Sequence, residues 1–168
     1  MHMKKKSVIL AFIAVTLFSY DAYSQSKYQG EASVGTAFGV SHRSDTKIVG
    51  ETIHGVRFSN HFFAGIGVAA HYYWDMSEVV MPVFFNVKGY YTLNSKFSPY
   101  ASFDAGLGWE LDVGGGGGVY FSPGIGLNVK MNWIDSMNFA LAFQSQDFGG
   151  KGGSVVYNAI IVKVGIQF

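Results

Sequence analysis

Beyond His2, four histidines, His42, His54, His61 and His71, are the residues of this chain best suited to move a proton or hold a metal near neutral pH. Nucleophilic hydrolysis would need a serine within hydrogen-bond reach of one of them and an acid to orient the ring. His71 with Glu110 comes nearest to that pattern, but no serine is clearly placed beside them. His42 and Asp45 form a local pair that solvent explains equally well, and a metal site from His42, Asp45 and His71 would require a fold that gathers them. The glycine run 114–118 lacks the Lys-Ser/Thr pair and the strand-to-helix setting of a phosphate loop. No catalytic residue, cofactor or metal is therefore expected. The other chemistry-bearing set is eight charges, Glu31, Glu51, Asp104 and Glu110 with Arg57, Lys88, Lys130 and Lys163. Their meaning depends on the elements that carry them.

Those elements show a strict two-residue rhythm. Val83, Phe85 and Val87 alternate with Asn86 and Lys88. Ala101, Phe103, Ala105, Leu107 and Trp109 alternate with Ser102, Asp104, Gly106 and Gly108. Val162, Val164, Ile166 and Phe168 alternate with Lys163, Gly165 and Gln167. Period-two alternation is the signature of strands with one apolar face. It predicts eight strands, over 27–39, 48–59, 62–74, 80–92, 97–110, 119–131, 137–146 and 155–168, each long enough to cross a bilayer, which takes about 9–11 tilted residues. The connections alternate long and short in the order expected when long loops lie outside and short turns in the periplasm. The glycine-rich stretches 114–118 and 149–153 read as external loops.

The leader agrees with export. Lys4, Lys5 and Lys6 precede an apolar stretch at 8–18, and Ala22-Tyr23-Ser24 offers a cleavage site before Gln25. The apolar stretch is shorter than the ~20 residues of a spanning helix, so residues 1–24 read as a signal peptide rather than an anchor. Residues 25–168 then form one barrel domain of about 144 residues, the size of a single domain. The absence of cysteine excludes disulfides and a lipoprotein anchor, and 12 basic against 11 acidic residues give no reason to expect nucleic acid.

A soluble lipocalin-like barrel would show the same alternation with its faces exchanged. Two features place the apolar row in lipid. The other row carries Gly35, Gly55, Gly65, Gly67, Gly106, Gly108, Gly124, Gly126 and Gly165, which suits the cramped interior of eight strands better than a watery surface. Tyr28, Tyr72, Trp74, Tyr91, Trp109 and Trp133 fall near strand ends, where membrane barrels carry aromatic girdles.

On the leader, the eight strands and the final Ile166-Gln167-Phe168, the chain resembles small outer-membrane barrels of the OmpX and OmpA transmembrane-domain type. His61-Phe62-Phe63-Ala64-Gly65-Ile66-Gly67-Val68, Ser98-Pro99-Tyr100-Ala101-Ser102-Phe103-Asp104-Ala105-Gly106 and Phe121-Ser122-Pro123-Gly124-Ile125-Gly126 resemble the porin-like outer membrane protein beta-barrel domain common in Bacteroidetes. The resemblance implies an all-β, eight-stranded antiparallel up-and-down transmembrane barrel in the outer membrane of a Gram-negative cell. It also implies that Val164, Ile166 and Phe168 are read by the barrel-assembly machinery, with Lys163 standing where a fuller version of that signal has glycine.

In that frame the eight charges face inward, since a lipid-facing Lys or Arg at mid-membrane costs about 2–4 kcal/mol. Counting from the strand ends predicts Glu31 near Lys163 and Lys88 near Asp104. The expected role is structural or surface-interacting, with a lumen largely filled by polar and charged side chains, outer-membrane lipid around it and an unidentified extracellular ligand at its loops. The alternatives are a narrow pore or small-solute binder and a lipid A-modifying enzyme.

Overall fold

A computed structural model describes residues 26–40, 46–74, 78–111, 117–150 and 153–168. The expected leader at 1–24, the His42–Asp45 pair and most of the glycine run 114–118 lie outside the described residues. Eight strands run β1 Lys27–Gly39, β2 Thr46–Arg57, β3 Phe62–Tyr73, β4 Glu78–Tyr90, β5 Phe97–Glu110, β6 Gly117–Lys130, β7 Ser136–Gly150 and β8 Gly153–Gln167. All pairings are antiparallel between chain neighbours, and β1 also pairs with β8, so the sheet closes on itself. The seam continues to the last residue: Gly30 and Phe168 exchange both backbone hydrogen bonds, at 2.7 and 3.0 Å.

Several strand ends differ from the sequence expectation, most of them by one or two residues. The sequence rhythm ends β7 at 146 and starts β8 at 155, whereas the two strands stay paired through Gly149↔Ser154 and Gly150↔Gly153. Glycine has no side chain to pack, yet it meets the backbone requirements of an extended ladder, so a glycine-rich stretch can prolong a hairpin. β2 begins at Thr46 rather than 48, which brings Lys47 into the barrel wall.

The register fixes the tilt. Following paired residues once around from Glu31, through Ile53, Gly67, Phe84, Gly106, Tyr120 and Gln146, arrives at Tyr157. Glu31 itself pairs with Gln167, ten residues further along β8. That shear obliges every strand to lean steeply against the barrel axis.

Alternation now has a spatial meaning. On β4, Val83, Phe85 and Val87 are 43%, 59% and 43% exposed, whereas Phe84, Asn86 and Lys88 between them are buried. Tyr28, Tyr91 and Trp133 are exposed at the end where β1 begins, and Tyr72, Trp74 and Trp109 at the opposite end. Two aromatic belts thus bracket an apolar band, the outward arrangement of a membrane barrel.

Inside, glycine makes room for large rings. Phe84 pairs with Gly67 on one side and Gly106 on the other, and a Cβ on Gly67 would run into the Phe84 ring. Phe63, Phe84, Tyr90, Tyr100 and Tyr120 form one buried cluster with Ile53. Gly67→Val is expected to lower stability by about 1–3 kcal/mol through overpacking. Gly50, where an added Cβ meets nothing within 4 Å, is its control. Urea unfolding of the two variants in lipid vesicles checks this: equal midpoints for both would contradict the packing account.

Candidate functional site

The lumen collects the candidate site residues because each stands on an inward row. Nearest the end where β1 begins, an amide cluster forms a floor. Asn128 Nδ2 donates to Ser136 Oγ at 2.5 Å, Asn138 Oδ1 at 2.7 Å and Gln167 Oε1 at 2.9 Å. Below it Arg57 lies with its guanidinium 4.2 Å from the centre of the Tyr90 ring, and donates from Nη2 to the Asn60 carbonyl at 3.0 Å.

Above this floor lie two buried ion pairs. Lys88 Nζ sits 2.6 Å from Glu31 Oε2, and Lys163 Nζ sits 2.7 Å from Glu51 Oε1. Glu31 Oε2 also accepts from Asn138 Nδ2 at 2.8 Å and Gln167 Nε2 at 3.2 Å, so it is the hub of the lower network. Ser33 Oγ donates to Glu51 Oε1 at 2.9 Å. Asn86 Nδ2 donates to Asp104 Oδ1. Each carboxylate is thereby held by donors, which is what makes a buried charge tolerable. The space among Asn86, Asp104, Tyr100, Ser102 and Lys163 is ≈ 10 Å³. That is about one water's worth of room.

These pairs exchange partners relative to the sequence expectation. Lys163 meets Glu51 rather than Glu31, and Lys88 meets Glu31 rather than Asp104. Equal counts from strand ends are equal heights only in an untilted barrel, and a shear of ten carries the rows past each other. An Asp104→Ala change therefore deprives Asn86 of a partner rather than Lys88. Glu110 is half-buried near the far end of β5, Arg57 lies below the floor against the Tyr90 ring, and Lys130 is exposed at the mouth, so none of the three belongs to either ion pair.

The half of the lumen beyond Phe84 holds residues that sequence reasoning missed. Lys47 is buried, donating to Tyr73 Oη at 3.2 Å and lying 4.9 Å from that ring's centre. Gln144 and Gln146 are fully buried, with Gln144 Nε2 donating to Gln146 Oε1 at 3.2 Å. A glutamine at every second position of a strand was the available signal. His71 is fully buried against Tyr120, with ring centres 5.9 Å apart, and neither ring nitrogen has a hydrogen-bond partner among the described residues. Among the described residues no serine or acid is hydrogen-bonded to the His71 ring, so the geometry of a hydrolytic triad is not seen there. His54 faces outward and uses both nitrogens, toward Tyr28 Oη at 2.6 Å and Thr52 Oγ1 at 2.9 Å. His61 is exposed in the β2–β3 turn. Among the described residues no group of His, Asp and Glu is placed to hold a metal.

Val164, Ile166 and Phe168 form an exposed apolar ridge on the outward row of β8. The Phe168 ring approaches His54 edge-on at 6.3 Å.

Apolar belt-bracketed exterior, full antiparallel closure and a side-chain-filled lumen together define the fold of a small transmembrane β-barrel of the outer-membrane type. The fold is similar to the crystal structure of Neisserial surface protein A, with a TM-score of 0.68 at 10% identity over 86% of this chain and 98% of that one. The N-terminal β-barrel domain of Pseudomonas aeruginosa OprF is similar at a TM-score of 0.53 and 12% identity, over 86% of this chain and 100% of that one. No protein-family model matches the chain, and its sequence matches no curated protein.

Proposed function

We propose that this chain is an integral outer-membrane barrel, sealed by its own side chains, that serves a structural or surface-interaction role. The observation that carries this reading is the filling of the lumen. Two buried ion pairs, an amide floor and the ring cluster around Phe84 succeed one another along the axis. An eight-stranded interior is just wide enough to be filled in this way. The barrel resemblance, the basic-apolar leader and the aromatic belts support placement in the outer membrane, with both strand termini toward the periplasm and four connections outside. Lipid tails are the partner of the outward row. The apolar ridge of Val164, Ile166 and Phe168 is the feature we assign to recognition by the assembly machinery. An extracellular ligand would be met by the connections at the end carrying Trp74 and Trp109, because loops held on a rigid scaffold are where recognition concentrates. The reading is non-enzymatic, since His71 lacks both an activatable serine and an orienting acid among the described residues.

Planar-bilayer recording tests the seal. The purified barrel is expected to show negligible single-channel conductance, and large, stable, reproducible openings would overturn the sealed-lumen reading in favour of a narrow pore.

A further inference from the structure

The two ends of the barrel differ in charge and shape. At the end where β1 begins, a mouth of ≈ 680 Å³ opens beneath the amide floor. Lys27, Arg57 and Lys130 line it from β1, β2 and β6, with Asp135 the acid among its lining residues. All three cations stand on inward rows, two residues from buried Gln29, four from buried Ile53 and two from buried Asn128 respectively. Lys27 pairs directly with Arg57 across the β1–β2 ladder, while Lys130 lies across the mouth on β6. Among the described residues the Lys27 and Lys130 side chains make no ion pair. Arg57 donates to the Ser59 and Asn60 carbonyls and to Gln29 Oε1 at 3.5 Å and stacks on the Tyr90 ring, and among the described residues no carboxylate pairs with it.

Concave pockets of roughly 300–1,000 Å³ are of ligand size. Three cations against one carboxylate, Asp135, leave the cleft net positive, and such an excess concentrates counter-ions. The floor of hydrogen-bonded Asn128, Ser136 and Gln167 makes the mouth a blind pocket rather than an entrance. Cations on opposite walls call for a ligand with more than one negative group. Lipid headgroups meet the outward row, which at this end presents Tyr28 and Tyr91 rather than the three cations, so the ligand is soluble.

We propose that this vestibule binds a small, soluble, polyvalent oxyanion, with Lys27, Arg57 and Lys130 as its charge partners and the neighbouring amides of Asn60 and Asn94 as further donors. The proposal depends on the barrel reading only for the compartment it faces, and bilayer conductance decides the seal separately.

The test uses the full barrel in phosphatidylcholine nanodiscs, titrated calorimetrically with tripolyphosphate. Saturable binding is expected, weakening about tenfold or more as salt rises from about 50 to about 300 mM. Lys27→Gln combined with Lys130→Gln is expected to weaken it at least about tenfold while leaving the circular dichroism spectrum and unfolding midpoint at parental values, because both side chains are exposed. Absence of saturable binding, or equal affinity in parent and double variant, would overturn the proposal. Discs containing phosphatidylglycerol should leave the parent-to-variant ratio unchanged. Collapse of that ratio there would show headgroups filling the mouth and overturn the assignment to a soluble ligand.

Discussion

Replacing Glu31 by alanine is expected to cost the barrel about 3–5 kcal/mol, the usual penalty for leaving one member of a buried ion pair alone. The reason is local. Glu31 Oε2 receives Lys88, Asn138 and Gln167 at 2.6, 2.8 and 3.2 Å, and the Lys88 and Glu31 side chains are only 3% and 5% exposed. The variant keeps the Lys88 ammonium buried with its carboxylate gone. It also releases two amides whose donors had converged on the same oxygen. Changing Lys88 to methionine in the same chain removes the stranded charge while keeping an unbranched apolar side chain against Phe63 and Tyr100, the rings its ammonium faces. The double variant should therefore be more stable than Glu31→Ala alone, since apolar replacement of a complete buried pair is often near neutral. Unfolding midpoints in urea for the parent, both single variants and the double variant complete the cycle. If the two single losses simply add, the charges are not coupled and the hub assignment is wrong.

Phe85→Arg is the second large effect, expected at about 2–4 kcal/mol for a cation turned toward lipid near the middle of the membrane. Phe85 lies near the middle of β4, paired with Ile66 and Ala105, and its side chain is exposed on the outer surface. In water the same substitution would relieve an exposed aromatic group at almost no cost, as surface changes commonly do. The sign and size of the effect thus report the solvent on that face. Tyr91→Arg, in the aromatic belt just beyond β4, should cost only about 0–1 kcal/mol because the penalty falls toward the interface. Folding titrations into phospholipid vesicles measure both. Equal, small effects at the two positions would remove lipid from the account of the outer row.

What the sequence conveyed about the fold follows from how strands encode their faces. β1 and β5 have the expected ends, because Lys27 through Gly39 and Phe97 through Glu110 keep the two-residue rhythm to their limits. Lys47 escaped notice because Thr46-Lys47 looks polar enough for a loop, and only its pairing with Tyr73 reveals it as wall. The partners of the charges were not legible for a different reason. Alternation specifies which face a residue occupies but carries no information on shear, and shear decides that Lys88 meets Glu31 rather than Asp104. The interior rings were half legible. Phe84 and Tyr100 sit on the row marked as small and polar, yet each pairs with glycine, Phe84 with Gly67 and Gly106 and Tyr100 with Gly126. A large residue facing a gap across the ladder was the signal, and it can be read only once neighbouring strands are aligned.

The central claim is that the row containing Val83, Phe85 and Val87 faces lipid tails and the row containing Phe84 and Asn86 faces the axis. The chain has no cysteine, so single cysteines from Val83→Cys through Val87→Cys can each carry one nitroxide label. Collisional relaxation by molecular oxygen, which concentrates in hydrocarbon, should be high at 83, 85 and 87 and low at 84 and 86 in reconstituted bilayers. An inverted pattern, with 84 and 86 the accessible sites, or a flat profile across the five positions, would contradict it.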